Sequence, residues 1–145
     1  MAESEKLLFI FTAAGDRAED AVTGFTLALV SLSMGSDVVI LLLGYGTLLA
    51  KQGYAETVHA PERQPFKKLL TEFLEGGGRV LCCMPCIKGR KLEPSELVEG
   101  VKAVTAVTVC EEIAAAATKG NPKGADRFAQ TMIAREDGHG EEKGR

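Results

Sequence analysis

Arg79-Val80-Leu81-Cys82-Cys83-Met84-Pro85-Cys86-Ile87-Lys88-Gly89-Arg90 is the stretch that decides how the rest of the chain is read. Three of the four cysteines lie in it, and Gly76-Gly77-Gly78 stands in front of it. The short apolar run Val80 to Cys82, entered through flexible glycines, reads as a buried strand. The cysteines therefore fall where a strand hands over to the next segment. In an open α/β sheet that carboxyl end is where ligands and reactive groups collect.

Cys83-Met84-Pro85-Cys86 is a C-x-x-C. Pro85 suits the first turn of a helix, where its missing N–H is not needed. Such a helix would place Cys83 beside unpaired backbone N–H groups, whose partial positive charge favours a thiolate. Residues 83, 86 and 90 would share one helical face, bringing the Arg90 charge near both sulfurs, with Lys88 and Lys91 adding to it. Cys82 alternates in direction with Cys83 along the strand and is expected in the core, where cysteine behaves as a small hydrophobe. A structural zinc site calls for two separated ligand pairs, and one C-x-x-C with a lone Cys110 does not supply them. No metal is expected.

Working outward, the amino-terminal half supplies the sheet around this strand. Leu7-Leu8-Phe9-Ile10-Phe11 is a continuous apolar run, as in a strand buried on both faces. The small-residue loop Thr12 to Asp16 follows it. Such a loop can cradle an anion, which makes Ala14 and Gly15 binding candidates. It is neither G-x-G-x-x-G nor a P-loop, so no nucleotide and no cofactor is assigned, and a tight turn with Asp16 as helix cap is the preferred reading. Residues 17–34 carry Ala21, Phe25, Ala28, Leu29 and Leu32 on one helical stripe, closed by Gly35. Val38 to Leu43 is the second buried strand, and the strand–helix–strand order implies parallel pairing.

Gly44-Tyr45-Gly46-Thr47 closes that strand on the side where the cysteines are expected. Gly44, Tyr45 and Gly46 are binding candidates. Tyr45 is placed either over the sulfurs or in a subunit contact, where tyrosine is enriched. Leu48 to Lys51 reads as a short helical turn and Tyr54 to Pro65 as an irregular connection holding His59, a surface residue. Phe66, Leu69, Leu70, Phe73 and Leu74 have helical spacing. After the cysteines, Glu93 to Val98 reads as a short helix, residues 101–105 as a fourth strand and Ala106 to Ala117 as a helix with Cys110 on its apolar face. Residues 125–134 fit either an edge strand or a short helix. Residues 1–134 are read as one domain and the charged, glycine-rich residues 135–145 as a disordered tail.

Strands alternating with helices make an α/β domain with a mostly parallel sheet and helices on both faces. A length of 145 residues is enough for one proper core. A net charge of −3 gives no basic footprint for nucleic acid or an anionic membrane, and the longest apolar run is too short to span a bilayer. The charged start, Met-Ala-Glu-Ser-Glu-Lys, lacks the pattern of a secretory signal, so a cytoplasmic location is expected. There a C-x-x-C serves catalysis, redox or metal binding rather than a structural disulfide.

The C-x-x-C-x-x-x-R pattern of Cys83, Cys86 and Arg90 after a buried strand resembles the DsrE/DsrF-like proteins. Gly44-Tyr45-Gly46 through Leu48-Leu49-Ala50-Lys51-Gln52-Gly53 is similar to that family's second-strand exit, and Leu97-Val98-Glu99-Gly100-Val101 to its stretch after the cysteine. The resemblance runs from Leu7 to Lys119. It implies a flavodoxin-like three-layer sandwich, a homo-oligomer (trimer or hexamer), and sulfur relay through a cysteine persulfide. Apolar residues such as Phe66 and Tyr54, in segments not expected to reach the core, also point to an oligomer. Cys83 matches the family's sulfur-carrying cysteine, and Cys86 a second cysteine present in some members.

The leading expectation is a sulfur carrier, compatible with sulfurtransferase activity. Cys83 would accept sulfane sulfur and pass it on. Its partners would be donor and acceptor proteins or small sulfane-sulfur compounds. Two alternatives stand beside it. One is a thiol–disulfide oxidoreductase using the same pair, although the thioredoxin pattern sets its C-x-x-C after an early strand. The other is a non-catalytic oligomeric module holding a small anion at the Ala14 and Gly44 loops.

Overall fold

The computed structural model describes residues 5–118. Four strands, β1 (Lys6–Phe11), β2 (Asp37–Leu42), β3 (Arg79–Cys83) and β4 (Lys102–Val104), form one sheet in that order. Every pairing is parallel: Phe11 opposes Leu42, Leu42 opposes Cys82, and Cys83 opposes Val104. Helices α1 (Ala18–Ser33) and α2 (Phe66–Glu75) make the crossovers into β2 and β3. Each new strand is added on the same side of the last. Right-handed crossovers running in one direction lay their helices on one face, so α1 and α2 pack side by side. Helix α4 (Ala106–Thr118) covers the opposite face. The result is a flavodoxin-like three-layer α/β sandwich.

Alternation along the strands sorts side chains between two cores. Phe9, Phe11, Ile40, Leu42, Val80 and Cys82 face α1 and α2. Leu8, Val39, Leu41 and Leu81 face α4. The larger core is built on an aromatic cluster. The Phe25 ring lies 4.9 Å from Phe11, 4.7 Å from Phe66 and 6.2 Å from Phe73. Phe66 is therefore fully buried. That corrects the expectation, which underlay the oligomer reading, that Phe66 and Tyr54 sit in segments away from the core. Tyr54 packs against the core, and its hydroxyl accepts a hydrogen bond from the Gly15 N–H.

Helix α4 departs from its expected orientation. Val109, Ile113 and Ala116 point to the sheet at a spacing of four and three residues. Cys110 is about 100° further round the helix and is exposed rather than core. An ionic clamp flanks this interface. The Glu112 carboxylate accepts from Lys6 Nζ at 2.6 Å and from Arg79 Nη1 at 2.8 Å, while Arg79 also approaches Asp37 at 3.9 Å. Lys6 is only 8 % exposed, yet it opens the β1 apolar run without weakening it because its charge is paired.

Residues 125–134, read as strand or helix, and the tail 135–145 lie outside the described residues. The segment expected as a helix over Glu93 to Val98 is a single 3-10 turn, Pro94–Glu96. Among the described residues no helix is long and apolar enough to cross a membrane.

Candidate functional site

Two strand exits meet at the carboxyl edge of the sheet. At the end of β2 the chain enters a 3-10 turn over Gly44–Ala50, so Gly44-Tyr45-Gly46 begins the turn that was expected only from Leu48. The Leu43 N–H donates to Phe11 O at 3.0 Å, and Gly46 N–H to Leu43 O at 2.9 Å. Gly46 lies so close to β1 that a Cβ there would come within 2.2 Å of Phe11 O. Gly44 takes φ +54, the left-handed region that favours glycine. Both glycines serve this close approach of the turn to β1. The turn then leads to Ala50 and Gln52, which exchange backbone hydrogen bonds with Val98 and Glu96, anchoring the segment beyond the cysteines.

At the end of β3 the chain passes directly into α3 (Met84–Gly89), with Cys83 as its N-cap residue and Pro85 in its first turn. Ile87 is fully buried and fixes the helix on the core. The three cysteines separate by position. Cys82 points into the larger core and is fully buried; Cys83 and Cys86 are half-buried at the edge. Burial, reinforced by the adjacent Cys83 and Cys86, pushes the Cys82 thiol up to about 12. Its sulfur is inert at neutral pH.

Cys83 departs from the expectation of a stabilised thiolate. Burial, and then a hydrogen bond with the Cys86 side chain, hold its pKa above the ordinary value. The Cys86 N–H near the sulfur works in the opposite direction but does not prevail, and Cys83 makes no capping hydrogen bond with its side chain. The helix has six residues, too few for a strong dipole. The Arg90 guanidinium is engaged elsewhere. Nη1 donates to the Cys86 carbonyl at 3.1 Å, and the group lies over the Tyr45 ring, 5.5 Å from its centroid. Tyr45 is thus the partner of Arg90. Sequence reasoning named both residues but not this contact, because they are 45 positions apart and meet only where β2 and β3 end side by side.

The loop after β1 is closed by Asp16 and by Tyr54. The Ala14 N–H donates to Asp16 Oδ1 at 2.8 Å and the Gly15 N–H to Tyr54 Oη at 2.9 Å. Asp16 accordingly does not cap α1; Arg17 holds that position. Both amides expected to cradle an anion are taken. His59 is exposed in the β2–α2 connection. Among the described residues, no three His, Cys, Asp or Glu side chains converge so as to hold a metal ion.

A family model for the DsrE/DsrF-like family matches residues 5–119. The chain belongs to this family. Its relatives include the uncharacterized protein MK0008 of Methanopyrus kandleri, 35% identical over 88 residues, or 60% of this chain and 69% of the relative. The uncharacterized protein MJ0989 of Methanocaldococcus jannaschii is 35% identical over 101 residues, 69% of this chain and 84% of the relative. The fold is shared with the ychN protein from E. coli at a TM-score of 0.64 and 17% identity, covering 79% of this chain and 95% of that one. It is shared also with MTH1491 from Methanobacterium thermoautotrophicum, at 0.54 and 13%, covering 75% and 89%. In this DsrE-like chain the cysteine pair stands at the carboxyl end of the third strand.

Proposed function

We propose that the protein is a sulfur carrier in which Cys83 accepts a sulfane sulfur as a persulfide and delivers it to an acceptor thiol. The supporting observation is the placing of Cys83. It is half-buried at a strand exit, beside a second accessible sulfur, with the third sulfur of the stretch shut in the core. Membership of a family associated with sulfur relay adds to it. With a hydrodisulfide donor, Cys83 loses its proton and attacks the terminal sulfur. The new S–S bond forms as the donor S–S bond breaks, and the donor's thiolate R–S⁻ leaves with the electron pair. Cys86 can then attack Cys83, closing a disulfide and expelling the carried sulfur as hydrosulfide. Arg90 acts at the rim of this pair. The shielded resting thiol suits a carrier that reacts with a presented donor rather than with any passing oxidant.

The same contact between Cys83 and Cys86 favours one second reading, a thiol–disulfide oxidoreductase. The anion-binding module has less support, since the Ala14 and Gly15 amides are occupied. We place the protein in the reducing cytoplasm, with donor and acceptor proteins or small sulfane-sulfur compounds as partners. We also place it in a homo-oligomer, trimer or hexamer. Leu27, Val30 and the C-cap residue Met34 support this by forming an exposed apolar stripe along α1 at helical spacing.

Reduced protein incubated with polysulfide and weighed intact is expected to gain about 32 Da per persulfide sulfur. In a Cys110→Ser background, which removes the exposed thiol of α4, the gain should vanish in Cys83→Ser. Uptake that persists there overturns the reading. A reversible loss of two hydrogens without uptake selects the oxidoreductase. Light scattering that shows only a 15.4 kDa species removes the oligomer.

A further inference from the structure

Arg90 contacts the cysteine helix through a backbone carbonyl rather than a sulfur. Its resting place is made of weak parts. One hydrogen bond at 3.1 Å to Cys86 O and one stack on Tyr45 hold it, and both Arg90 and Tyr45 are exposed. Cys83 is a neutral thiol at rest and offers the guanidinium no charge to pair with, and the carbonyl and the ring face hold it instead. The Arg90 side chain already runs back one turn to Cys86, the usual direction for a long side chain on a helix. Cys83, the N-cap residue of the same helix, is three residues before Cys86, about 5 Å further back along the axis.

We propose that Arg90 is a charge-responsive arm: it rests on Tyr45 while Cys83 is neutral and swings to Cys83 when that position carries an anion, with Tyr45 as the positioning residue for the resting state. The inference rests on the carrier reading for its biological anion, the outer sulfur of a Cys83 persulfide. A persulfide is a stronger acid than its parent thiol, so loading converts a neutral group into an anion at neutral pH. The swing then does two things. It pairs the carried sulfur with a fixed positive charge, and it uncovers the Tyr45 ring and the Cys86 carbonyl at the rim. Loaded and empty forms thereby present different surfaces to donor and acceptor. Lys88 and Lys91 are exposed on the same segment and leave the rim positive in both states, which fits anionic sulfane-sulfur donors.

The test separates the arm from the sulfur chemistry. In a Cys86→Ser/Cys110→Ser protein, with Cys82 protected by burial, Cys83 is alkylated either with iodoacetate or with iodoacetamide. The two adducts are close in size, but only the first carries a charge. The Arg90 side-chain protons are followed by NMR, where stacking on Tyr45 shifts them upfield, and Tyr45→Ala marks the unstacked position. The carboxymethyl adduct is expected to move these signals to the unstacked position, and the neutral adduct to leave them in place. Equal behaviour of the two adducts, whether both move or neither does, overturns the proposal. Polysulfide loading of the same protein is read by intact mass. Failure to load counts against the carrier reading alone, because the charged adduct still decides whether the arm responds. In loaded protein, signals that stay stacked overturn the arm even though the carrier reading stands.

Discussion

The reactivity of Cys83 provides the most direct check on how the site is balanced. Two effects oppose each other there: burial and the Cys86 thiol favour the neutral form, while the helix start favours the thiolate. Burial is the largest influence, so Cys83 titrates above the ordinary 9.0. Below pH 9 its thiolate is then a minority, under about 1 % at pH 7, and each pH unit changes it about tenfold. Alkylation of Cys83 by iodoacetamide should therefore rise close to tenfold per unit from pH 6 to 8.5, without a plateau. Cys82, at about 12, should remain unlabelled while the protein is folded. Cys86→Ala removes the side-chain hydrogen bond that favours the neutral thiol but keeps the backbone N–H. A weak hydrogen bond of about 0.5–1 kcal/mol corresponds to about a two- to fivefold gain in thiolate. The lower intrinsic nucleophilicity of a more acidic thiol offsets roughly half of that on a logarithmic scale, leaving about a twofold faster reaction at pH 7. Rates are measured by quenching and peptide mapping. A plateau beginning near pH 7, or slower labelling of Cys83 in Cys86→Ala, would refute this reasoning and restore the stabilised thiolate read from the sequence.

Three further outcomes follow from the packing. Gly46→Ala drives a Cβ to within 2.2 Å of Phe11 O, which is backbone and has little room to move, so thermal unfolding should show a loss of about 2 kcal/mol or more. Phe25→Ala, at the centre of the aromatic cluster, should cost about 3–5 kcal/mol in a urea titration. Glu112→Gln leaves Lys6 buried with a weaker partner and should cost about 2 kcal/mol at pH 7. The folded Glu112 pKa is lowered by Lys6 and Arg79 in spite of its burial, so its contribution is present above the unfolded carboxylate value and is lost as pH falls through the folded one. Wild-type stability should therefore fall more steeply below about pH 4.5 than that of Glu112→Gln; parallel curves would show that the clamp carries no net energy.

Periodicity alone placed β1, β2, β3, α1 and α2, because each buries a continuous stripe that local spacing reveals. It also separated Cys82 from Cys83, since neighbouring residues on a strand must face opposite ways. The order of the cysteines relative to β3 and Pro85 likewise put the C-x-x-C at a strand exit before any fold was known. These are properties of single elements, and the chain carries them within a few residues.

Tertiary structure decided whatever depends on which surface an element meets. Apolar residues surround α4, so its sequence permits several orientations, and only docking on Leu8, Val39 and Leu41 turned Cys110 outward. Phe66 heads its helix and looked peripheral until Phe25, 41 residues earlier, closed over it. The amides of Ala14 and Gly15 looked open to an anion until Asp16 took the first and Tyr54 folded back onto the second. At the site itself, the sequence determined that a cysteine pair and an arginine share one short segment, while the meeting of two strand exits determined that Arg90 rests on Tyr45 and that Cys83 stays neutral beside Cys86. The physical reason is range: backbone spacing and alternation act over a few residues, whereas burial and electrostatic environment are set by whatever distant chain happens to arrive.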